Sequence, residues 1–266
     1  MFMKIKEAFN TLIFSLKSRE NLMILKHKIK THYASKKEIE CKNENLSWLR
    51  SKCSDYRLLA NSISPLLWKE ALQFSTELSE RSNRILQSLP VKLGGGGIYP
   101  FLYFITRLIN PKCVVETGVA AGYTSQTFLS ALQKNGHGFL YSSDFPYFRI
   151  ANPEKYIGIL VEDDLRANWE LHIKGDEINL PLILNKVTEV DIFHYDSDKS
   201  YQGRSFATQL IQNKMSENGF IIYDDIQDNT YFRDYIKMRS PGSWYIFEFE
   251  GKYVGLIGDI LKYKSS

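Results

Sequence analysis

The spacing of apolar residues along the chain changes character at residue 94. From Leu67 through Ala71, Phe74, Leu78, Ile85 and Leu89 they recur mostly at three- and four-residue steps, which gathers them on one face of an α-helix. Ser64 stands as an N-cap with Pro65 at the first helical position, so the start of that helix is marked too. Residues 1–62 read as polar helical material with weak amphipathic patches such as NLMILKHKIKTHY, 21–33. The long helix is expected to pack on the main domain or on a second copy of the chain. Four glycines, Gly94–Gly97, then interrupt the pattern. Ordering them is entropically costly, so a linker, a hinge or a loop closing over a ligand is expected there. This divides the chain into a helical extension, 1–93, and a main domain, 94–266.

Beyond the glycines, short apolar runs alternate with helical ones. YPFLYFITRLIN reads as a helix stopped by Pro111, CVVETG as a buried strand, SQTFLSALQKNG as a helix ending at Gly136, and GFLYSSD as a second strand. DIFHYD and GFIIYDD are later strands, separated by a helix through FATQLIQNKMSENG. WYIFEFEG and KYVGLIGDI close the chain as two strands joined by a tight turn about Gly251. Repeated strand–helix units predict an α/β fold, a Rossmann-like doubly wound and mostly parallel sheet. The closing hairpin adds an antiparallel strand at or near one edge.

Composition narrows the class without naming a chemistry. At 266 residues, with 44% hydrophobic and 24% charged, the chain suits a globular domain with a sizeable core. Its net charge of +4 is uneven: residues 1–60 hold 13 Lys or Arg against 6 Asp or Glu, and the remainder 21 against 24. The basic N-terminal region could meet a membrane surface or nucleic acid, although a solvated helical face is the plainer reading. Cys41, Cys53 and Cys113 have no metal-ligand spacing, which argues for a reducing cytoplasm. No apolar run approaches the roughly 18 residues of a spanning helix. Glu7 and Asn10 interrupt the first apolar patch and no cleavage site follows, so a signal peptide is not expected.

The first strand ends in ETGVAAGYTS, and open parallel sheets bind ligands beyond their strand ends. A dinucleotide fingerprint would place a third glycine at position 123, which is Tyr123, so a pyrophosphate cradle is not expected. An acid followed by small residues at two-residue steps does fit: Glu116, Gly118, Ala120, Gly122. In this form the stretch resembles the E/D-x-G-x-G-x-G loop of class I S-adenosylmethionine-dependent methyltransferases, with Ala120 in place of the middle glycine. That resemblance implies cofactor contacts from Glu116, Gly118, Ala120 and Gly122 and from Thr124 and Ser125 at the following helix start. Asp144, at the end of the second strand, is placed to accept ribose hydroxyls. Asp176 in KGDEIN matches the family position near the adenine amino group.

Two strand ends carry four acids, Asp196 and Asp198 in DIFHYDSDKSYQG, and Asp224 and Asp225 in GFIIYDDI. Either they cap turns, or they hold something positive; oxygen ligands without Cys or His would suit a hard ion such as Mg²⁺. His194, on the same strand face as Asp196, is expected to be a satisfied core residue. The two stretches are similar to those of a metal-dependent subgroup, the macrocin-like sugar O-methyltransferases and cephalosporin hydroxylase-like proteins. That resemblance covers roughly residues 99–266. It implies Asp196, Asp224 and Asp225 as metal ligands, Asp198 as catalytic base, and a sugar or glycosylated small molecule as hydroxyl acceptor. Ser197 and Lys199 stand where the subgroup has glycine and histidine, so the role of Lys199 is open. The alternatives are a hydroxylase-like relative, or a non-catalytic nucleoside- or metal-binding module. A nucleic-acid partner is not expected, because the acidic site would repel phosphate. The N-terminal helices could also join two copies as a homo-oligomer.

Overall fold

The computed structural model describes residues 2–19, 21–23, 25–26 and 42–264. Its strands are β1 (Cys113–Thr117), β2 (Phe139–Ser143), β3 (Trp169–His172), β4 (Val190–Tyr195), β5 (Met215–Tyr223), β6 (Trp244–Phe249) and β7 (Lys252–Ile257). Its helices are α1 (Phe2–Leu16), α2 (Lys42–Lys52), α3 (Tyr56–Ile63), α4 (Pro65–Gln87), α5 (Tyr99–Ile109), α6 (Tyr123–Asn135), α7 (Asp176–Lys186), α8 (Tyr201–Ile211) and α9 (Tyr231–Arg239). No described helix is long and apolar enough to cross a membrane. Cys41 and most of the 21–33 patch lie outside the described residues.

One seven-stranded sheet runs in the order β3-β2-β1-β4-β5-β7-β6. The first five strands are parallel, and β7 pairs antiparallel with both β5 and β6. The mostly parallel α/β sheet therefore matches the expectation. The hairpin's second strand lies inside the edge and its first strand forms it. Glu250 and Gly251 both take positive φ, 50° and 79°, which turns the two-residue loop with the twist that a tight hairpin needs. Strand order reverses between β1 and β4, so the switch point where ligands enter such sheets falls beside Thr117 and Tyr195.

The central strands form because continuous apolar runs are buried on both faces: Val114, Val115, Leu140, Ile192, Phe193, Phe220 and Ile222 are all buried. β3 is half-exposed along its whole length, so Trp-Glu-Leu-His offered no strand pattern. The helix expected through residue 219 ends instead at Ile211. The Lys214 N–H turns back to the Ile211 carbonyl and Val190 N–H takes the Lys214 carbonyl, which starts β5 at Met215. Pairing then jumps from Val190–Met215 to Ile192–Phe220. The polar run 216–219 had nothing to bury on a helix face.

Helix α4 starts as expected, with the Ser64 hydroxyl accepting from Leu67 N–H and Pro65 opening the first turn. Its buried stripe runs through Trp68, Ala71, Ser75, Leu78 and Ser82; Leu67, Phe74 and Ile85 flank it. Trp68 sets this rotation by meeting Tyr56 and Phe104 edge-on at 5.9 Å, contacts worth about 0.5–1.5 kcal/mol each beyond area burial. Tyr56 also meets Phe101, Phe247 and Phe249, so helices α3 and α4 share one apolar core with the sheet. Edge strand β6 is covered by a bridge from Cys53 to Ile246, which hides backbone groups that would otherwise pair with other chains. Asn45, buried on α2, donates to the carbonyls of Ile226 and Asn229 at 3.2 and 2.8 Å. The extension thereby pins the loop that follows Asp224 and Asp225.

Candidate active site

The loop after β1 is shaped by close backbone packing. Gly118, Ala120 and Gly122 have φ of 83°, 50° and 97°. A Cβ on Gly118 would lie 2.3 Å from the Asp196 carbonyl oxygen, and one on Gly122 would lie 2.8 Å from Gly158 Cα. Both positions therefore require glycine. Ala120 adopts the left-handed region despite its methyl group. It is held there by its N–H to Asp144 Oδ2 at 2.7 Å and by its carbonyl, which accepts from Gly158 N–H at 2.9 Å.

Glu116 lies fully inside the sheet. Its carboxylate accepts from the hydroxyls of Thr124, Ser125 at 2.6 Å and Ser142 at 2.8 Å. Desolvation outweighs these bonds and pushes its pKa up to about 7. Thus Glu116, Thr124 and Ser125, all read as cofactor contacts, form a buried knot that ties β1 to β2 and to the start of α6. Asp144 accepts from Ala120 N–H and from Phe145 N–H at 2.6 Å. Asp176, at the start of α7, accepts from the hydroxyls of Ser143 at 2.6 Å and of Ser197. These acids bind neighbouring strand ends together at the switch point. The residues around the loop after Asp144 gave no signal in the sequence. There Phe14 of α1 meets Phe145 edge-on at 5.4 Å, and Asn10 donates to the Arg149 carbonyl at 3.0 Å.

The four strand-end acids divide into three arrangements. Asp196 continues β4, its N–H bonded to the Thr117 carbonyl at 3.1 Å. Its Oδ1 is buried without a hydrogen-bond partner among the described residues. Desolvation, then the charge of Asp224, raises its pKa to about 7. Asp198 turns to the start of α8: its Oδ1 accepts from Ser200 N–H at 3.1 Å, and Gly203 leaves room for its Oδ2. Asp224 is buried with Oδ2 unpartnered, and a Cβ on Gly97 would fall 2.4 Å from that oxygen. Asp225 sits at φ 52°, a conformation costing a side-chain-bearing residue about 1–2 kcal/mol. The buried Arg204 holds this turn by donating to the carbonyls of Asp224 and Asp225 at 2.9 and 3.0 Å.

Two lysines occupy the space among these acids. Lys199 Nζ donates to Asp225 Oδ2 and lies 3.7 Å from Asp196 Oδ1. Lys252 Nζ lies 3.3 Å from Asp225 Oδ1, which also accepts from Gln227. A divalent ion held by oxygens needs carboxylates turned toward one point, but Asp225 is turned toward ammonium groups. Among the described residues no group of three or more His, Cys, Asp or Glu side chains is disposed to hold a metal ion. Asp196, Asp224 and Asp225 thus do not fit an oxygen-only cage as they stand. His194 is buried as expected but is not satisfied: neither ring nitrogen has a partner among the described residues. Burial lowers its pKa to about 4, so it is neutral.

A cleft lies between the glycine loop and the tetraglycine segment, lined by Gly94–Gly97, Gly118–Ala121, Tyr123, Thr124 and Asp196. Gly96 rests on Tyr123, where a Cβ would come within 2.6 Å of the tyrosine Cβ, and Gly97 rests on Asp224. The cleft encloses about 220 Å³ of empty space, part of it open to solvent. Gly94–Gly97 form one wall of this cleft, so a nucleoside cofactor bound there would meet that segment. The rest of the site fits one: a tight backbone loop at the switch point, flanked by Asp144 and Asp176.

Residues 115–226 match the family model described as a methyltransferase domain. That span contains the glycine loop, Asp144, Asp176 and all four strand-end acids. Among solved structures, a methyltransferase from Geobacter sulfurreducens is 15% identical, with a TM-score of 0.51, over 68% of this chain and 87% of that one. An O-methyltransferase from Bacillus cereus in complex with SAH is 13% identical, with a TM-score of 0.50, over 79% of this chain and all of the other. These likenesses show the fold. No curated protein matches the chain.

Proposed function

We propose that this chain, which carries a methyltransferase domain over residues 115–226, is an S-adenosylmethionine-dependent O-methyltransferase acting on a sugar or glycosylated small molecule. Residues 94–266 are its methyltransferase part and residues 1–93 a helical extension. The observation that carries the reading is the junction of Ala120 with Asp144: the tip of the glycine loop is bonded to the acid ending β2, at the sheet's switch point. Gly118, Ala120 and Gly122 supply close-approach backbone for the amino-acid end of the cofactor. Asp144, at the end of β2 beside the loop tip, is the proposed acceptor for ribose hydroxyls. Asp176 flanks the base. The sugar class is supported by the likeness of the 190–203 and 219–226 stretches to sugar O-methyltransferases.

When bound, the cofactor supplies a methyl group on a sulfonium, which is released as a neutral thioether. An alcohol becomes a competent nucleophile only as its proton leaves. The carboxylate lining the cleft is Asp196, and its raised pKa suits it to take that proton as the new C–O bond forms. Asp198, the expected base, is the second carboxylate of this turn and orients it through Ser200 N–H. Mg²⁺, expected alongside, is left out of the proposal because Asp225 is engaged by Lys199 and Lys252.

The experiment is a melting curve with S-adenosylhomocysteine, followed by transfer of labelled methyl from S-adenosylmethionine to a panel of free and nucleotide-linked sugars. A rise in Tm and labelled ether product are expected, with Asp196→Asn abolishing transfer and Asp198→Asn reducing it. Transfer lost in Asp198→Asn but kept in Asp196→Asn would return the base to Asp198. No stabilisation by the thioether would remove the reading.

A further inference from the structure

We propose that Lys199 and Lys252 are the resident cations of this site and stand in place of a divalent metal ion. The proposal takes from the preceding one only that this sheet edge is the acceptor side. Asp196, Asp224 and Asp225 bring three carboxyl groups to adjoining strand ends, two of them with a buried carboxylate oxygen that has no hydrogen-bond partner among the described residues. Such oxygens require a positive charge nearby, because a buried uncompensated carboxylate is expensive. Lys199 Nζ reaches Asp225 directly and stands 3.7 Å from the unpartnered Asp196 Oδ1. Lys252 Nζ reaches both oxygens of Asp225, Oδ1 at 3.3 Å and Oδ2 at 3.4 Å.

The two ammonium groups supply the same charge as one Mg²⁺. They arrive from different elements, Lys199 from the turn after β4 and Lys252 from the start of β7, so the antiparallel register of the hairpin completes the arrangement. Arg204 adds a third positive charge beneath, bonded to the backbone of Asp224 and Asp225. These positive charges weaken the attraction of the site for a divalent ion. An ion entering would also have to displace Lys199 from Asp225. Mg²⁺ needs near-octahedral oxygen geometry and gives up its waters reluctantly, and a tethered ammonium needs neither. With 42% of its side chain exposed, Lys199 also has donor capacity left for an acceptor hydroxyl.

Mn²⁺, whose free form gives a resolved electron paramagnetic resonance signal, is the probe. The full chain is titrated as wild type, as Lys199→Met and as Lys199→Met with Lys252→Met, after circular dichroism confirms folding. Wild type should leave Mn²⁺ free up to millimolar concentration. At least one variant should bind it ten times more tightly or better, because the acids then lack their cations. Micromolar Mn²⁺ binding by wild type would overturn the inference. So would failure of both folded variants to bind more tightly than wild type. Should the double variant not fold, Lys199→Met and wild type decide alone. The thioether melting shift is read separately: its absence with the expected Mn²⁺ pattern removes the methyltransferase reading alone. Its presence with micromolar wild-type binding removes this one alone.

Discussion

Ala120 and Asp144 are joined by a 2.7 Å bond from the alanine backbone N–H to the carboxylate, which makes the tip of the glycine loop and the end of β2 one structural unit. Asp144→Asn keeps one acceptor but sets an amide N–H₂ against either Ala120 N–H or Phe145 N–H. Thioether affinity should fall at least tenfold, measured by calorimetric titration, with a loss of about 1 kcal/mol in stability. Unchanged affinity would take Asp144 out of the cofactor site.

Glu116 makes stability depend on pH. Its folded pKa of about 7 lies above the ordinary 4.5, so between those values the folded state holds more protons than the unfolded one. Its contribution is fully present below pH 4.5 and is lost as pH rises through 7, by up to about 3 kcal/mol. Tm should fall from pH 5 to pH 8, and Glu116→Gln should flatten that slope. A slope unchanged in the variant would assign the dependence elsewhere, for instance to Asp196.

The tetraglycine segment offers a paired test. Gly97→Ala would place a methyl 2.4 Å from Asp224 Oδ2, whereas Gly95→Ala meets nothing within 4 Å. The first should loosen the segment and hasten protease cleavage at 94–97 severalfold. The second should leave cleavage as it is and add about 0.5 kcal/mol through the unfolded state. Equal cleavage of both variants would mean that the contact with Asp224 does not hold the segment down.

Asn45→Ala should cost about 1–3 kcal/mol, because two buried carbonyls in the loop after Asp225 lose their donor. A drop in catalytic rate alongside the stability loss, with cofactor affinity kept, is expected if that loop sets the acceptor side. Denaturant unfolding and steady-state kinetics separate the two effects.

Much of the sheet was legible because its central strands are unbroken apolar runs with sharp punctuation, as in Val114 and Val115 between Pro111 and Gly118. β3 was not, since Trp169–His172 is half-exposed throughout and lies at an edge, where neither alternation nor an apolar run is required. The start of β5 was hidden for the opposite reason: Ser216–Gly219 is polar and lies in the register shift between the Val190–Met215 and Ile192–Phe220 pairs. At the site, the glycine loop and the strand-end acids could be read from local spacing. Lys252 could not, because its nearness to Asp225 depends on the register of β7 against β5. Nor could the path of Gly94–Gly97, whose contacts with Tyr123 and Asp224 are made across the fold.

The ring of Tyr56 lies against Phe247 and Phe249, and Asn45 reaches across to Asn229. The partners of the early helices thus lie far later in the chain. Helices α2 and α3 lack these partners until the β6–β7 hairpin has emerged. Such long-range closure is slow and leaves apolar surface open to association. Loss of the hairpin would therefore expose the aromatic face of the helical extension, a surface suited to recognition by a chaperone.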